Sequence, residues 1–203
     1  MMQVRLSQTG KKFRNQWVFR NLDLLIEPGK RIVIAGGNGS GKSTLLLMLS
    51  GYLSPTQGSI TWTNDNRHVA ADTLYRRISM ASPAMELVEE FTLEEMIGFH
   101  KQFKTLQHVV NGQDPVEIFG LKVPGRTTIG QFSSGMKQRL KLLLAMLSKT
   151  DLLLLDEPCT NLDAAGVRWY QELLAWCSGK TTVVIASNHK QEEYPQYDHM
   201  ISL

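Results

Sequence analysis

Two stretches of this 203-residue chain carry side chains suited to phosphate chemistry, and the first is a glycine-rich loop that fits GxxxxGK(S/T). Small residues let successive backbone N–H groups point at phosphate oxygens. We expect Lys42 to reach the β- and γ-phosphates of ATP and Ser43 to bind Mg²⁺. A strand predicted at Ile32–Ala35 and a helix predicted from about Ser43 to Ser50 flank the loop, as this motif requires. The predicted loop comprises Gly36, Gly37, Asn38, Gly39, Ser40, Gly41, Lys42, Ser43 and Thr44.

The second stretch is a run of four leucines, Leu152–Leu155, followed by Asp156 and Glu157. Acids at the carboxyl end of a parallel strand lie where ligands bind in such sheets. We expect Asp156 to hold Mg²⁺ through its water shell. Glu157 is expected to polarise a water molecule in line with the γ-phosphate. The two stretches together predict ATP and Mg²⁺ as cofactors.

The elements that position these residues alternate between strands and helices, which predicts a largely parallel sheet with right-handed crossovers. Residues from about 85 to 148 have helical character, and Thr92 and Glu95 form a capping-box pattern at the start of one helix. We interpret 1–203 as one domain, with a core at 1–84 and 149–203 and a helical subdomain at about 85–148. The other predicted strands are Gln3–Ser7, Trp17–Ile26, Ser59–Thr63, Ile78–Ala81, Val183–Ala186 and Met200–Leu203, and the other predicted helices are Met136–Leu147 and Ala164–Trp176.

The composition is that of an ordinary globular protein, with 42% hydrophobic and 20% charged residues. This balance excludes a disordered or collagen-like chain. The longest aliphatic runs are far shorter than the roughly 18 residues of a membrane helix, and the first residues form no signal peptide. We therefore expect a cytoplasmic protein. The net charge of +3 comes without a basic block, so nucleic acid is not an expected partner.

Four motifs in one order carry a resemblance to a known family. The phosphate loop is followed by Phe132–Arg139 (FSSGMKQR), then by LLLLDEP, then by Thr160–Asp163 (TNLD). In this order and spacing they resemble the ATP-binding cassette (ABC) ATPases, over nearly the whole chain, and Ser134–Leu140 looks most like the exporter branch. The resemblance implies an α/β P-loop NTPase fold of ABC type. That fold has a mainly parallel core, an N-terminal antiparallel β part and an inserted helical subdomain.

The resemblance also implies roles by position. Phe13 lies where the family places an aromatic side chain that stacks on adenine, although Trp17 is a rival and simple packing is the alternative. Ser133 and Gly135 match the signature loop, which meets the γ-phosphate of ATP held by the opposite subunit. Asp163 matches a loop that crosses the dimer interface.

The chain departs from the family pattern at three positions. Ser134 replaces a glycine in the signature loop. The position of a metal-side glutamine falls at Pro83, where Ser82 offers only a partial substitute. At the position of the switch histidine the alignment favours Asn188, although a slip of one residue would restore His189.

We expect an ATP-binding and ATP-hydrolysing subunit of an ABC transporter. It would dimerise around Mg-ATP with a second copy or a related cassette and drive a separate membrane-spanning partner, which would hold it at the inner face of the membrane. The departures motivate an alternative, a nucleotide-gated dimerisation switch with little or no turnover. A cassette acting on nucleic acid or ribosomes is less expected. Five glutamates predict a solvated face, or else a docking site for a basic segment of the membrane partner, and these are Glu86, Glu89, Glu90, Glu94 and Glu95.

Overall fold

The described part of the chain contains two β-sheets and the helices that cover them. The structure is a computed structural model that describes residues 1–107, 113–177 and 179–203. Residues 108–112, within the predicted helical region 85–148, lie outside the described part. The strands are β1 (Met2–Phe13), β2 (Gln16–Ile26), β3 (Arg31–Ala35), β4 (Gln57–Asn64), β5 (Arg67–His68), β6 (Ile78–Ala81), β7 (Leu152–Asp156), β8 (Thr182–Ser187) and β9 (His199–Ser202). The helices are α1 (Lys42–Leu49), α2 (Leu93–Phe103), α3 (Pro115–Phe119), α4 (Ser134–Leu147) and α5 (Ala164–Cys177), with 3₁₀ turns at Ala71–Arg76, Ile129–Gln131 and Gln191–Glu193.

The first sheet is antiparallel and has the strand order β2-β1-β4-β5. Its central strand places Val4 opposite Ile26 of β2 and opposite Trp62 of β4. Met2, Val4 and Leu6 alternate along β1 and are all buried, so one face of this sheet covers the core.

The second sheet is parallel and has the order β6-β7-β8-β3-β9. In its register Ala35 pairs with Ser187, and Asp156 pairs with Ala186. Because all five strands run in one direction, the segments that follow β3, β7 and β8 leave the sheet at the same edge. These segments are the phosphate loop, the acid pair and the Asn188 turn.

Side chains on the two faces of the parallel sheet belong to two separate hydrophobic clusters. Ile34 and Leu154 pack on one face with α1 and the antiparallel sheet. Val33 and Leu155 pack on the other face with α2, α3, α4 and α5. This division arises because successive side chains of a strand point to opposite faces of the sheet, and both faces of this parallel sheet are buried. The sheet is therefore the middle layer of three.

The structure confirms the predicted combination of a parallel sheet, an antiparallel sheet and helices. The capping box at the start of α2 is present, because the Glu95 N–H donates to Thr92 Oγ1 and the Thr92 N–H donates to Glu95 Oε2. Strand β1 is longer than the predicted Gln3–Ser7, since register shifts along β1 disturb the alternation on which the prediction rests. Helix α3 was not predicted, because five residues are too few to show a helical period. In the described residues no helix has the length and apolarity needed to span a membrane.

Candidate functional site

The phosphate loop joins β3 to α1 and depends on glycine at Gly41. Its backbone φ is 106°, a value that residues with a side chain rarely adopt. A Cβ at this position would lie 2.5 Å from Val18 Cγ1. The following residue, Lys42, is only 4% exposed. Its ammonium group donates to the carbonyls of Gly36 and Gly37 at 2.8 and 2.9 Å. The lysine is thus already folded over the loop, where it can exchange these carbonyls for phosphate oxygens.

The loop also leaves room and donors for an anion. A Cβ on Gly37 or Gly39 would meet no atom within 4 Å, so the space above the loop is open. Ser40 Oγ is buried and has no hydrogen-bond partner among the described residues. Helix α1 begins after Gly41, which has no side chain to cap the first-turn N–H groups. Ser43 and Thr44 lie in this first turn, where free N–H groups attract phosphate.

Asp156 ends β7 and is 4% exposed. Its Oδ2 accepts a hydrogen bond from Ser82 Oγ at 3.1 Å, while Oδ1 has no partner among the described residues. Burial raises the pKa of Asp156, and the hydroxyls of Ser43 and Ser82 oppose that rise. An unpaired buried carboxylate oxygen near a serine hydroxyl matches the hard oxygen ligands that Mg²⁺ requires. The residues present therefore fit a magnesium ion.

Glu157 follows in a left-handed conformation, with a φ of 42°. Few residues other than glycine adopt this region, and such conformations cluster at functional sites. The Glu157 N–H donates to the Ala186 carbonyl at 2.9 Å, which ties the acid to β8. From the opposite side, buried Gln138 of α4 donates to the Pro158 carbonyl at 3.0 Å. The glutamate is therefore held between a strand and a helix. The sequence places Gln138 in the FSSGMKQR motif but does not indicate that it bonds to the Pro158 carbonyl.

The turn after β8 lies against the phosphate loop. Asn188 Nδ2 donates to Asn38 Oδ1 at 3.0 Å, and the Gly36 N–H donates to the Ser187 carbonyl at 3.3 Å. His189 has a φ of 58°, so the chain reverses one residue after Asn188. Of the two residues at the predicted switch position, it is Asn188 whose side chain contacts the loop.

Ser133 and Gly135, at the start of α4, lie against the segment that leads to Asp163. Ser133 caps α4, and its Oγ accepts the Met136 N–H at 3.2 Å. A Cβ on Gly135 would lie 2.7 Å from the Asn161 carbonyl oxygen, so this glycine allows the two segments to touch. Within the described residues no hydrogen bond joins Ser133, Gly135 or Asp163 to the phosphate loop of the same chain.

The two aromatic candidates for base stacking lie close together in sequence, at the end of the β1–β2 hairpin. Trp17 is the cross-strand partner of Lys12, and the Arg20 guanidinium lies 4.3 Å from its ring centroid. The next two residues of β2, Val18 and Phe19, both lie against Gly41 of the phosphate loop. Phe13 pairs with Gln16 in the same hairpin, and its side chain is 48% exposed.

Comparison with known proteins places the chain in a family. A family model described as "ABC transporter" matches residues 19–160, from strand β2 to the segment after the acid pair. The uncharacterized ABC transporter ATP-binding protein YybJ of Bacillus subtilis is 31% identical over 183 residues, which cover 90% of this chain and 84% of that protein. The cytochrome c biogenesis ATP-binding export protein CcmA of Albidiferax ferrireducens is 28% identical over 93% of this chain and 90% of its own length.

Solved structures share the fold. The dimeric structure of MJ0796, a bacterial ABC transporter cassette, superposes with a TM-score of 0.82 at 22% identity, covering 98% of this chain and 94% of that one. A post-hydrolysis dimer of the same cassette bound to ADP and Pi superposes with a TM-score of 0.81. The chain therefore belongs to the ABC transporter family and is an ATP-binding subunit of that family.

Proposed function

We propose that the chain binds Mg-ATP at the candidate site and hydrolyses it. The observation that supports this proposal is the parallel register that brings three segments to one sheet edge. At that edge Asn188 contacts Asn38 of the phosphate loop, and the Glu157 backbone bonds to the strand that precedes Asn188. This arrangement supports the proposal, because the phosphate loop, the acid pair and the Asn188 turn all leave the sheet at one edge.

In this proposal each side chain has a defined task. Lys42 and the loop N–H groups bind the phosphates, and Phe13 stacks on the adenine. Ser43 and Asp156 would hold Mg²⁺, which would supply positive charge to neutralise the phosphates. Glu157 accepts a proton from the attacking water as a general base. Asn188 donates a hydrogen bond to the γ-phosphate from its amide group.

We further propose that the working unit contains two cassettes and a membrane-spanning partner. Ser133, Gly135 and Asp163 would then meet the nucleotide of the other cassette, as the resemblance to the family implies. Residues 85–148 would act as the helical subdomain on the core 1–84 and 149–203. The partner would hold the cassette at the inner face of the membrane. Of the five glutamates, Glu89 already pairs with Lys137.

A comparison of three proteins tests the hydrolytic part of the proposal: the wild type, Glu157→Gln, and Glu172→Gln, which alters an exposed acid of α5. We expect Mg-dependent ATP hydrolysis in the wild type and in Glu172→Gln. The Glu157→Gln protein should bind ATP and dimerise without turnover. Normal turnover in Glu157→Gln would contradict the role of this acid. ATP-dependent dimerisation without turnover in the wild type would instead identify a nucleotide-gated switch.

The switch residue needs its own pair of variants. Asn188→Ala removes the amide that contacts the phosphate loop, and His189→Ala removes the neighbouring imidazole. We expect Asn188→Ala to lower kcat more than His189→Ala does, at similar affinity for ATP. The reverse order would assign the switch to His189.

A further inference from the structure

A fully buried carboxylate lies behind the candidate site. Glu193 is 0% exposed and is the last residue of the 3₁₀ turn that follows the Asn188 turn. In the residues that the structure describes, no lysine, arginine or histidine lies within salt-bridge distance of it. Burial raises the pKa of Glu193, chiefly because the charged form loses its water. A carboxylate in such surroundings requires hydrogen-bond donors, and the structure supplies two.

The donors come from two different parts of the active site. The Ser187 hydroxyl donates to Glu193 Oε2, and the Cys159 N–H donates to Oε1 at 3.3 Å. Ser187 Oγ in turn accepts the Lys190 N–H at 3.2 Å. The Glu193 side chain thereby joins Ser187, at the end of β8, to Cys159, two residues after Glu157.

The turn that carries Glu193 is itself anchored. Buried Tyr170 of α5 donates its hydroxyl to the Glu193 carbonyl at 2.7 Å. Gln171 of the same helix donates to the Glu192 carbonyl at 3.0 Å. The turn that carries the carboxylate is therefore anchored to α5, and the carboxylate can determine the position of the segments it bonds.

We propose that Glu193 is a positioning residue that holds the switch segment (residues 187–190) and the acid segment (residues 157–160) in one register. The proposal rests on the proposed hydrolytic function of Glu157 and Asn188. Ser187 directly precedes Asn188, and Pro158 alone separates Glu157 from Cys159. Without the carboxylate, the hydroxyl and the N–H that it accepts lose their shared partner. The backbone bond from Glu157 to Ala186 still ties the acid to β8, but the segments beyond these two residues lose their link, and Asn188 can shift relative to Glu157.

The kinetic test uses Glu193→Gln, with Glu192→Gln as the matched control on the exposed side of the same turn. The amide keeps the size of the carboxylate but offers one acceptor instead of two. We expect kcat of Glu193→Gln to fall about tenfold or more, since small displacements of reacting groups cost rate. KM and the affinity for ATP should change by less than about twofold, because the phosphate loop is intact. Glu192→Gln should behave as wild type.

A double-mutant cycle adds a second variant. If Ser187 and Glu193 act as one unit, Ser187→Ala and Glu193→Gln should together cost little more kcat than either change alone. Additive losses, or a loss of ATP affinity as large as the loss of kcat, would overturn the positioning role. The thermal midpoint of each protein shows whether it is folded.

Amide hydrogen exchange gives a readout that needs no turnover. In Glu193→Gln the amides of Cys159 and Lys190 should both exchange faster than in the wild type, while the Leu45 amide of α1 stays unchanged. Faster exchange at only one of the two, or at neither, refutes the coupling. A wild-type protein without ATP hydrolysis would refute the proposed function, and the exchange result would still decide whether Glu193 couples the segments.

Discussion

Ser82→Ala is the change that most directly tests how Asp156 is held. Ser82 donates to one carboxylate oxygen of Asp156, and the other oxygen has no partner among the described residues. A hydrogen bond to a charged group contributes about 1.5–3 kcal/mol, and replacing serine by alanine leaves a very small cavity. We therefore expect the free energy of unfolding without ligand to fall by about 1.5–3 kcal/mol at neutral pH.

Strand β6 supplies a matched control. Ser79, three residues earlier, is also buried, and its hydroxyl pairs with Thr150 Oγ1 at 2.9 Å, away from the site. This pair is neutral, so Ser79→Ala should cost about 0.5–1.5 kcal/mol. Urea unfolding at pH 7 in the presence of a metal chelator measures the deficit of each variant, which is its loss of unfolding free energy relative to the wild type.

Magnesium and ADP should change the two deficits differently. Mg²⁺ near Asp156 compensates the carboxylate charge, so the Ser82→Ala deficit should shrink below about 1 kcal/mol at saturating Mg-ADP. The Ser79→Ala deficit should remain constant. A Ser82→Ala deficit that is unchanged or larger with Mg-ADP would refute this reasoning and would place the Ser82 hydroxyl on the water shell of the metal.

The glycines of the site and one half-buried histidine support three further predictions. Gly41→Ala should destabilise the protein by more than about 1 kcal/mol and abolish ATP binding in calorimetry, because a Cβ forces the loop out of its left-handed conformation. Gly135→Ala should weaken ATP-induced dimerisation in size-exclusion chromatography but keep ATP binding, since the new Cβ displaces the Asn161 segment. Burial, and then the charge of a nearby lysine, lowers the pKa of His100 below 6.5. The unfolded chain then binds more protons, so stability falls as the pH drops below 6.5. His100→Gln should lose less stability than the wild type or His68→Gln between pH 7.5 and 5.5 in urea unfolding.

Local spacing predicted the parts of the site that depend on local structure. The phosphate loop needs only its own glycines and the strand and helix beside it. The acids Asp156 and Glu157 follow an apolar run whose strand character is plain from composition. Register in a parallel sheet then brings both to one edge without further information. These features are therefore visible in one chain without knowledge of distant contacts.

Local sequence patterns do not indicate the long-range contacts that support the site. Ser82 is 74 residues from Asp156, and Gln138 is 20 residues from Pro158. A single serine or glutamine on a strand or helix shows no period, and its partner is set by how the layers pack. The choice between Asn188 and His189 is similar. Strand alternation ends at Ser187, and the left-handed turn at His189 sets the direction of the chain beyond it.

The position of β3 within the parallel sheet has a consequence for synthesis on the ribosome. Strand β3 carries the phosphate loop, yet its neighbours are β8 and β9, and Ala35 pairs with Ser187 and Ser202. At about 5–20 residues per second, the chain between Ala35 and Ser187 takes roughly 8–30 s to make. During that interval the nascent phosphate loop lacks both strands that support it. The antiparallel strands β1, β2 and β4 are all made within the first 64 residues and can pair much earlier. Nucleotide would therefore bind only after β8 and β9 have left the ribosome.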